Sequence, residues 1–216
     1  MKRLFGNTQG LKANQIRRLE NLYRRRIPTE NIVTPELARD MNALSHEIRR
    51  QVGLLIDRQG RIKYVIVGDN RSILIPDTSE YRTATGRLRG LRCIHTHIRN
   101  EPLTRDDLTD LALLRLDLMA AITPSGDGLP YKIHMGHILP DNVDGESYKI
   151  FPPLHPGELD IGCLNLIQAL EDELSQKKIT VKAGSRKENA ILAGVYPAHE
   201  HSADDHLHEL KELASS

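Results

Sequence analysis

His95 and His97, followed by Thr104 and Asp107, are the residue types that hold and use a divalent metal. Side chains repeat every two residues along a strand, so His95 and His97 face one side. A catalytic zinc takes three protein ligands and keeps a position for water. His95, His97 and Asp107 supply three ligands, and Thr104 stands near enough to steady the bound water or an oxyanion. Zinc held this way lowers the pKa of its water towards ~7. A carboxylate must then take the proton, and Glu47 is the nearest acid to where one is needed, although a surface charge is the favoured reading of it. The same Thr-x-x-Asp also suits a capping box, in which the threonine oxygen and the acid each satisfy the other's backbone amide. An acid there favours the helix dipole by about 0.3–1 kcal/mol. On residue types alone, both readings stand.

The elements that must position these groups follow from periodicity. Leu91, Cys93, His95 and His97 alternate along a strand, and Thr104 opens a helix carrying Leu108, Leu111, Ala112 and Leu114. Leu118 to Ile122 reads as a buried strand, completing an α/β unit whose polar atoms collect at one strand end. Upstream, Thr34-Pro35-Glu36 starts a helix running to Arg50. Val52 to Asp57 and Arg61 to Gly68 form a hairpin around Arg58-Gln59-Gly60, and Ser72 to Pro76 is expected as a third strand. Residues 77–90 make a long polar loop whose arginines, with Arg92, lead into the central strand. Downstream, Tyr131 to Leu139 is a strand with His134 and His137 on opposite faces; His137 is the one able to approach the site, and a satisfied core or edge histidine is the favoured reading of it. Asp160 to Lys178 is a helix, residues 180–188 a linker, and Ala190–Tyr196 with Asp204–Leu213 the start of a further domain. The division expected is a basic helical segment over 1–51, an α/β domain over 52–179, the linker, and a second α/β domain beginning at 189.

Composition sets the class. The chain has 216 residues, 39% hydrophobic and 27% charged, which is a globular composition with room for a core. Only 4% is aromatic and tryptophan is absent, so Leu, Ile, Val and Ala must build that core. Cys93 and Cys163 lack C-x-x-C spacing and sit in apolar runs, as reduced core thiols do. No apolar run reaches membrane-spanning length, so no membrane partner is expected and the cytoplasm is the expected compartment. The net charge of +1 conceals an uneven distribution. Residues 1–30 carry eight cations against Glu20 and Glu30, a local net of +6. Ile16, Leu19, Leu22 and Tyr23 mark a helix from about Ala13 to Arg26. Its outer cations, Lys12, Arg17, Arg18, Arg24, Arg25 and Arg26, can neutralise phosphates, as a backbone-contacting RNA surface does.

Two resemblances sharpen these expectations. His95-x-His97, a short loop and Thr104-x-x-Asp107 resemble the JAMM (MPN-plus) metalloprotease motif, in which two histidines and the aspartate hold zinc and a serine lines the site. Ile98 stands where that family has proline, Thr104 replaces the serine, and the loop is one or two residues short. The family's general-base glutamate lies three residues before a glycine; Gly53 places Arg50 there instead. More widely, GNTQGLKANQIRRLENLYRRRIP, SHEIRRQVGLLIDRQGRIKYVIVGD and GRLRGLRCIHTHIRNEPLTRDDLTDLALLRLDLMAAI resemble the N-terminal region of HflX-type GTPases, over most of residues 5–178. The resemblance implies a ribosome or ribosomal RNA partner and a GTPase domain in the parent protein. The chain has no Gly-Lys dipeptide, so a GTP-binding phosphate loop is excluded. The fold expected is an α/β sandwich of the JAMM and deaminase kind, with a mixed sheet flanked by helices. The leading expectation is a non-catalytic ribosome-contacting module with zinc at low occupancy or none, Arg50 repelling a dication. The competing one is a zinc hydrolase of amide or isopeptide bonds.

Overall fold

Leu91–Thr96 is the middle strand of a seven-stranded mixed sheet, and the computed structural model describes residues 3–81, 87–139, 147–159 and 161–182. The elements in order are β1 (Leu4–Gly6), α1 (Ala13–Leu22), α2 (Pro35–Ile48), β2 (Val52–Asp57) and β3 (Ile62–Val67). Then come β4 (Leu91–Thr96), α3 (Arg105–Leu113), β5 (Leu118–Pro124), β6 (Pro130–Ile138), β7 (Tyr148–Ile150) and α4 (Cys163–Lys182). Across the sheet the strands run β1-β3-β2-β4-β5-β6-β7. The β1/β3 and β4/β5 pairs are parallel, β4 to β5 being the crossover through α3; the other pairs are antiparallel.

Helices cover both faces, so every residue of β2 and β4 is buried and the strands read as continuous apolar runs. Alternation divides β4 cleanly. Arg92, Ile94 and Thr96 face α2, where the Thr96 hydroxyl donates to Ser45 Oγ at 2.8 Å. Cys93 and His95 face the other way, towards α3, as His97 does one residue beyond the strand. The helix starts follow their expected chemistry. Thr34 caps α2 by accepting from the Leu37 amide at 3.3 Å, with Pro35 in the first turn, and Arg49 ends the helix in the left-handed region.

Three strand assignments differ from expectation. Residues 72–76 are not a strand; the segment puts Ile73 against Gly53. Leu4–Gly6 and Tyr148–Ile150 are strands at the two sheet edges, each three residues long. Runs that short carry no alternation to read. Arg92, expected with the loop arginines, is 1% exposed, its Nε donating to the Ile32 carbonyl at 3.2 Å. Burial lowers its pKa.

The chain divides into two compact units, Met1–Lys177 and Lys178–Ser216. Residues 3–51 belong to the first, since β1 pairs with β3 and α2 packs on β2, β4 and β5. The strand expected at 190–196 and the helix at 204–213 lie outside the described residues, as does the linker beyond Lys182. Among the described residues no helix is long and apolar enough to cross a membrane.

Candidate metal centre

The strand β4 and the start of α3 bring the predicted triad together. His95 and His97 share one side of the sheet, as their spacing requires, and their Nε2 atoms lie 2.9 Å apart. α3 packs on β5 and β6 over that face, with Asp107 in its first turn. Asp107 Oδ1 is 3.2 Å from His95 Nε2, and Oδ2 is 3.3 Å from His97 Nε2. The ligand atoms all fall within 4.8 Å of one another, and all three residues are buried. Two bonds of about 2.0–2.1 Å meeting at a tetrahedral angle separate their outer atoms by roughly 3.3 Å. The cluster already has that size.

His97 and Asp107 are each aimed by a second contact, whereas His95 Nδ1 is buried without a partner in the protein. The His97 Nδ1–H donates to the Glu101 carbonyl at 3.0 Å, which turns Nε2 towards Asp107. Thr104 holds Asp107 twice: its backbone N–H and its hydroxyl each donate to Oδ2 at 2.7 Å. Its hydroxyl oxygen also accepts from the Asp107 amide at 3.2 Å, closing the capping box. Thr104 therefore orients a ligand, and the role expected for it, donating to a bound water or oxyanion, is taken up by this contact.

Electrostatics follow from the same distances. Burial would raise the Asp107 carboxyl, but the hydrogen bonds from His95 and His97 outweigh it and hold the group far below the carboxylate range. Burial lowers the His95 imidazole, with Asp107 opposing. For His97 burial also works against the charged form, yet the Asp107 bond and the Glu101 carbonyl leave its pKa raised. Cys93 lies on the same face one strand-step below; burial, then the Asp107 charge, pushes its thiol well up, so it is a protonated core thiol.

The other predicted residues go elsewhere. Glu47 is exposed at the end of α2, which packs on the opposite face of the sheet. There it accepts from Gln15 Nε2 at 3.0 Å and pairs with Arg18. It is no base for this site, because α2 turns it away from the ligands. Arg50 donates to the Asn7 carbonyl at 2.7 Å, so its charge is engaged outside the cluster. The cations expected to face phosphate, Lys12, Arg17, Arg18, Arg24, Arg25 and Arg26, are all exposed. Arg18 pairs with Glu47 and Arg25 with Asp40, which reduces the free positive charge.

Of the two β6 histidines, His137 is the satisfied core histidine favoured from the sequence, and His134 is the one on the side of the site. Register sets His95 beside Ala121 and Ala121 beside His134, so His134 shares the ligand face. His137 lies on the other face, its Nδ1–H donating to the Ile138 carbonyl at 2.8 Å. Alternation along β6 separates the two histidines; only cross-strand register says which one belongs to the site. Register also exposes a residue the sequence did not single out, Gln51, buried completely with its whole carboxamide unpartnered. The signal available was its place two residues before Gly53. No protein-family model matches the chain, and no solved structure gives a significant match.

Proposed function

We propose that this protein is a metal-holding recognition module, taking one divalent transition metal at His95, His97 and Asp107. What carries this reading is the convergence of three buried ligand atoms at near-tetrahedral separations. Two imidazoles and one carboxylate suit zinc among the common divalent metals. When bound, the metal supplies Lewis acidity to one exchangeable ligand. The chain's own residues orient the centre: Thr104 fixes the carboxylate and Glu101 the His97 tautomer. Binding without hydrolysis is favoured because Glu47, the acid suggested as base, is tied to Gln15 and Arg18 across the sheet. Calorimetric titration of metal-free protein with Zn²⁺ should give one site, lost in Asp107→Ala. Chelator-sensitive cleavage of isopeptide or peptide substrates, abolished by Asp107→Asn, would instead make it a hydrolase of the JAMM kind.

A second reading concerns the partner. The module is proposed to be the N-terminal region of an HflX-type GTP-binding protein, working in the cytoplasm against the ribosome or ribosomal RNA. Its support is the resemblance over residues 5–178 and the exposed cations from Lys12 to Arg26. The parent protein's GTPase domain would be the second partner.

A further inference from the structure

Gln51 stands immediately before β2 and is 0% exposed, yet neither Nε2 nor Oε1 has a hydrogen-bond partner in the protein. Buried amides are almost always paired, so a wholly unpartnered carboxamide points to an absent ligand. Its backbone is anchored: the Gln51 N–H donates to Asp69 O at 2.8 Å and its carbonyl accepts from Gly68 at 2.9 Å. The side chain, not the main chain, is what lacks partners.

Its position follows from register. The β2/β4 ladder pairs Gly53 with His95 and Leu54 with Ile94. One step further, the Val52 N–H donates to Thr96 Oγ1 at 2.9 Å, keeping Val52 opposite Thr96. One more step sets Gln51 beside His97. Alternation then places Gln51 with Gly53 and His95 on the ligand face. Ile73 fills the space over Gly53, where an added Cβ would meet its Cδ1 at 2.9 Å, so apolar atoms close that side of the centre.

Resting on the metal reading above, we infer that Gln51 is a positioning residue of the centre, its carboxamide directed at the metal's exchangeable ligand. A carboxamide both accepts and donates, so Oε1 could accept from a metal-bound water and Nε2 could donate to an anionic oxygen in its place. It has no proton-accepting state at neutral pH. Gln51 would therefore orient such a ligand but would not take a proton from it.

The test uses the full chain loaded with Co²⁺, whose visible absorption reports the ligand field directly. Gln51→Leu is expected to weaken Co²⁺ binding roughly tenfold to a hundredfold, the effect of losing an outer hydrogen bond to a metal centre. It should also alter the Co²⁺ spectrum while the metal-free protein melts no lower than the wild type. Gln51→Glu is expected to bind more tightly and to shift the spectrum in its own way; Gln51→Met carries the comparison if the leucine variant does not fold. Variants with wild-type affinity and spectrum would overturn the inference while leaving the metal centre intact. A wild-type chain that takes up no Co²⁺ would overturn the metal reading and this one with it.

Discussion

Asp107 serves as helix cap and as candidate ligand with the same carboxylate, and the two uses do not compete. Oδ2 receives the Thr104 amide and hydroxyl, while Oδ1 is directed at His95. The capping box is thus the device that aims the ligand. Replacing Thr104 with alanine should cost about 1 kcal/mol of stability through the lost cap. It should also weaken metal binding about tenfold to a hundredfold, with Thr104→Ser restoring both. Thermal denaturation beside a metal titration separates the two effects; lost stability with unchanged affinity would leave Thr104 a cap alone. The triad was legible because a period of two and a helix start are local properties. Glu47 is the exposed surface charge its favoured reading made it, and the alternative of a base fails because nearness in sequence says nothing about which face of a sheet a helix covers. Gln51 and His134 become visible only through register, a non-local property.

Helices and strands long enough to show a period were readable, and the edges were not. Val52–Asp57 is found at its expected bounds, whereas β1 and β7 are three-residue pairings whose identity depends on a neighbour. The β2/β3 hairpin was announced by Gly60, whose φ of +76° suits glycine, and an added Cβ would lie 1.8 Å from the Ile27 carbonyl oxygen. Gly60→Ala should therefore destabilise by at least about 3 kcal/mol, a fall in melting midpoint of roughly 6–12 °C. An unchanged midpoint would contradict this placement of the hairpin.

The hairpin also anchors α4, through Arg58. Its guanidinium donates to Asp117 at 2.8 and 3.0 Å and to Glu171 at 3.0 and 2.9 Å. The Arg58 bonds hold the Glu171 carboxyl below its ordinary value of 4.5, with burial opposing. A depressed carboxylate contributes stability above its unfolded pKa and loses it as pH falls through the folded one. Attachment of α4 should accordingly be complete above pH 4.5 and weaken below it. Glu171→Gln should remove about 1–3 kcal/mol at neutral pH and flatten that acid dependence. Hydrogen exchange in α4 as a function of pH measures both; identical profiles for the two proteins would rule out this anchoring.

At the scale of the whole molecule, a metal-sized cluster lies in the face covered by α3, while the basic N-terminal helix belongs to the side covered by α2. The two can therefore act on different partners. If the cations face RNA, binding to ribosomes should weaken steeply with salt, each phosphate contact adding about 0.7–0.9 to the log–log slope. Replacing Arg17, Arg24 and Arg26 with glutamine should flatten that slope more than replacing Arg18 and Arg25, which already have carboxylate partners. Equal effects, or none, would contradict the assignment of this surface. The central claim, that His95, His97 and Asp107 form one metal centre, is tested most directly by anomalous diffraction from crystals grown with one equivalent of Zn²⁺, recorded on both sides of the zinc absorption edge. The account predicts a single strong peak at about 2.0–2.1 Å from both Nε2 atoms and from an Asp107 oxygen. Zinc found only at surface histidines, with no peak among these three side chains, would contradict it.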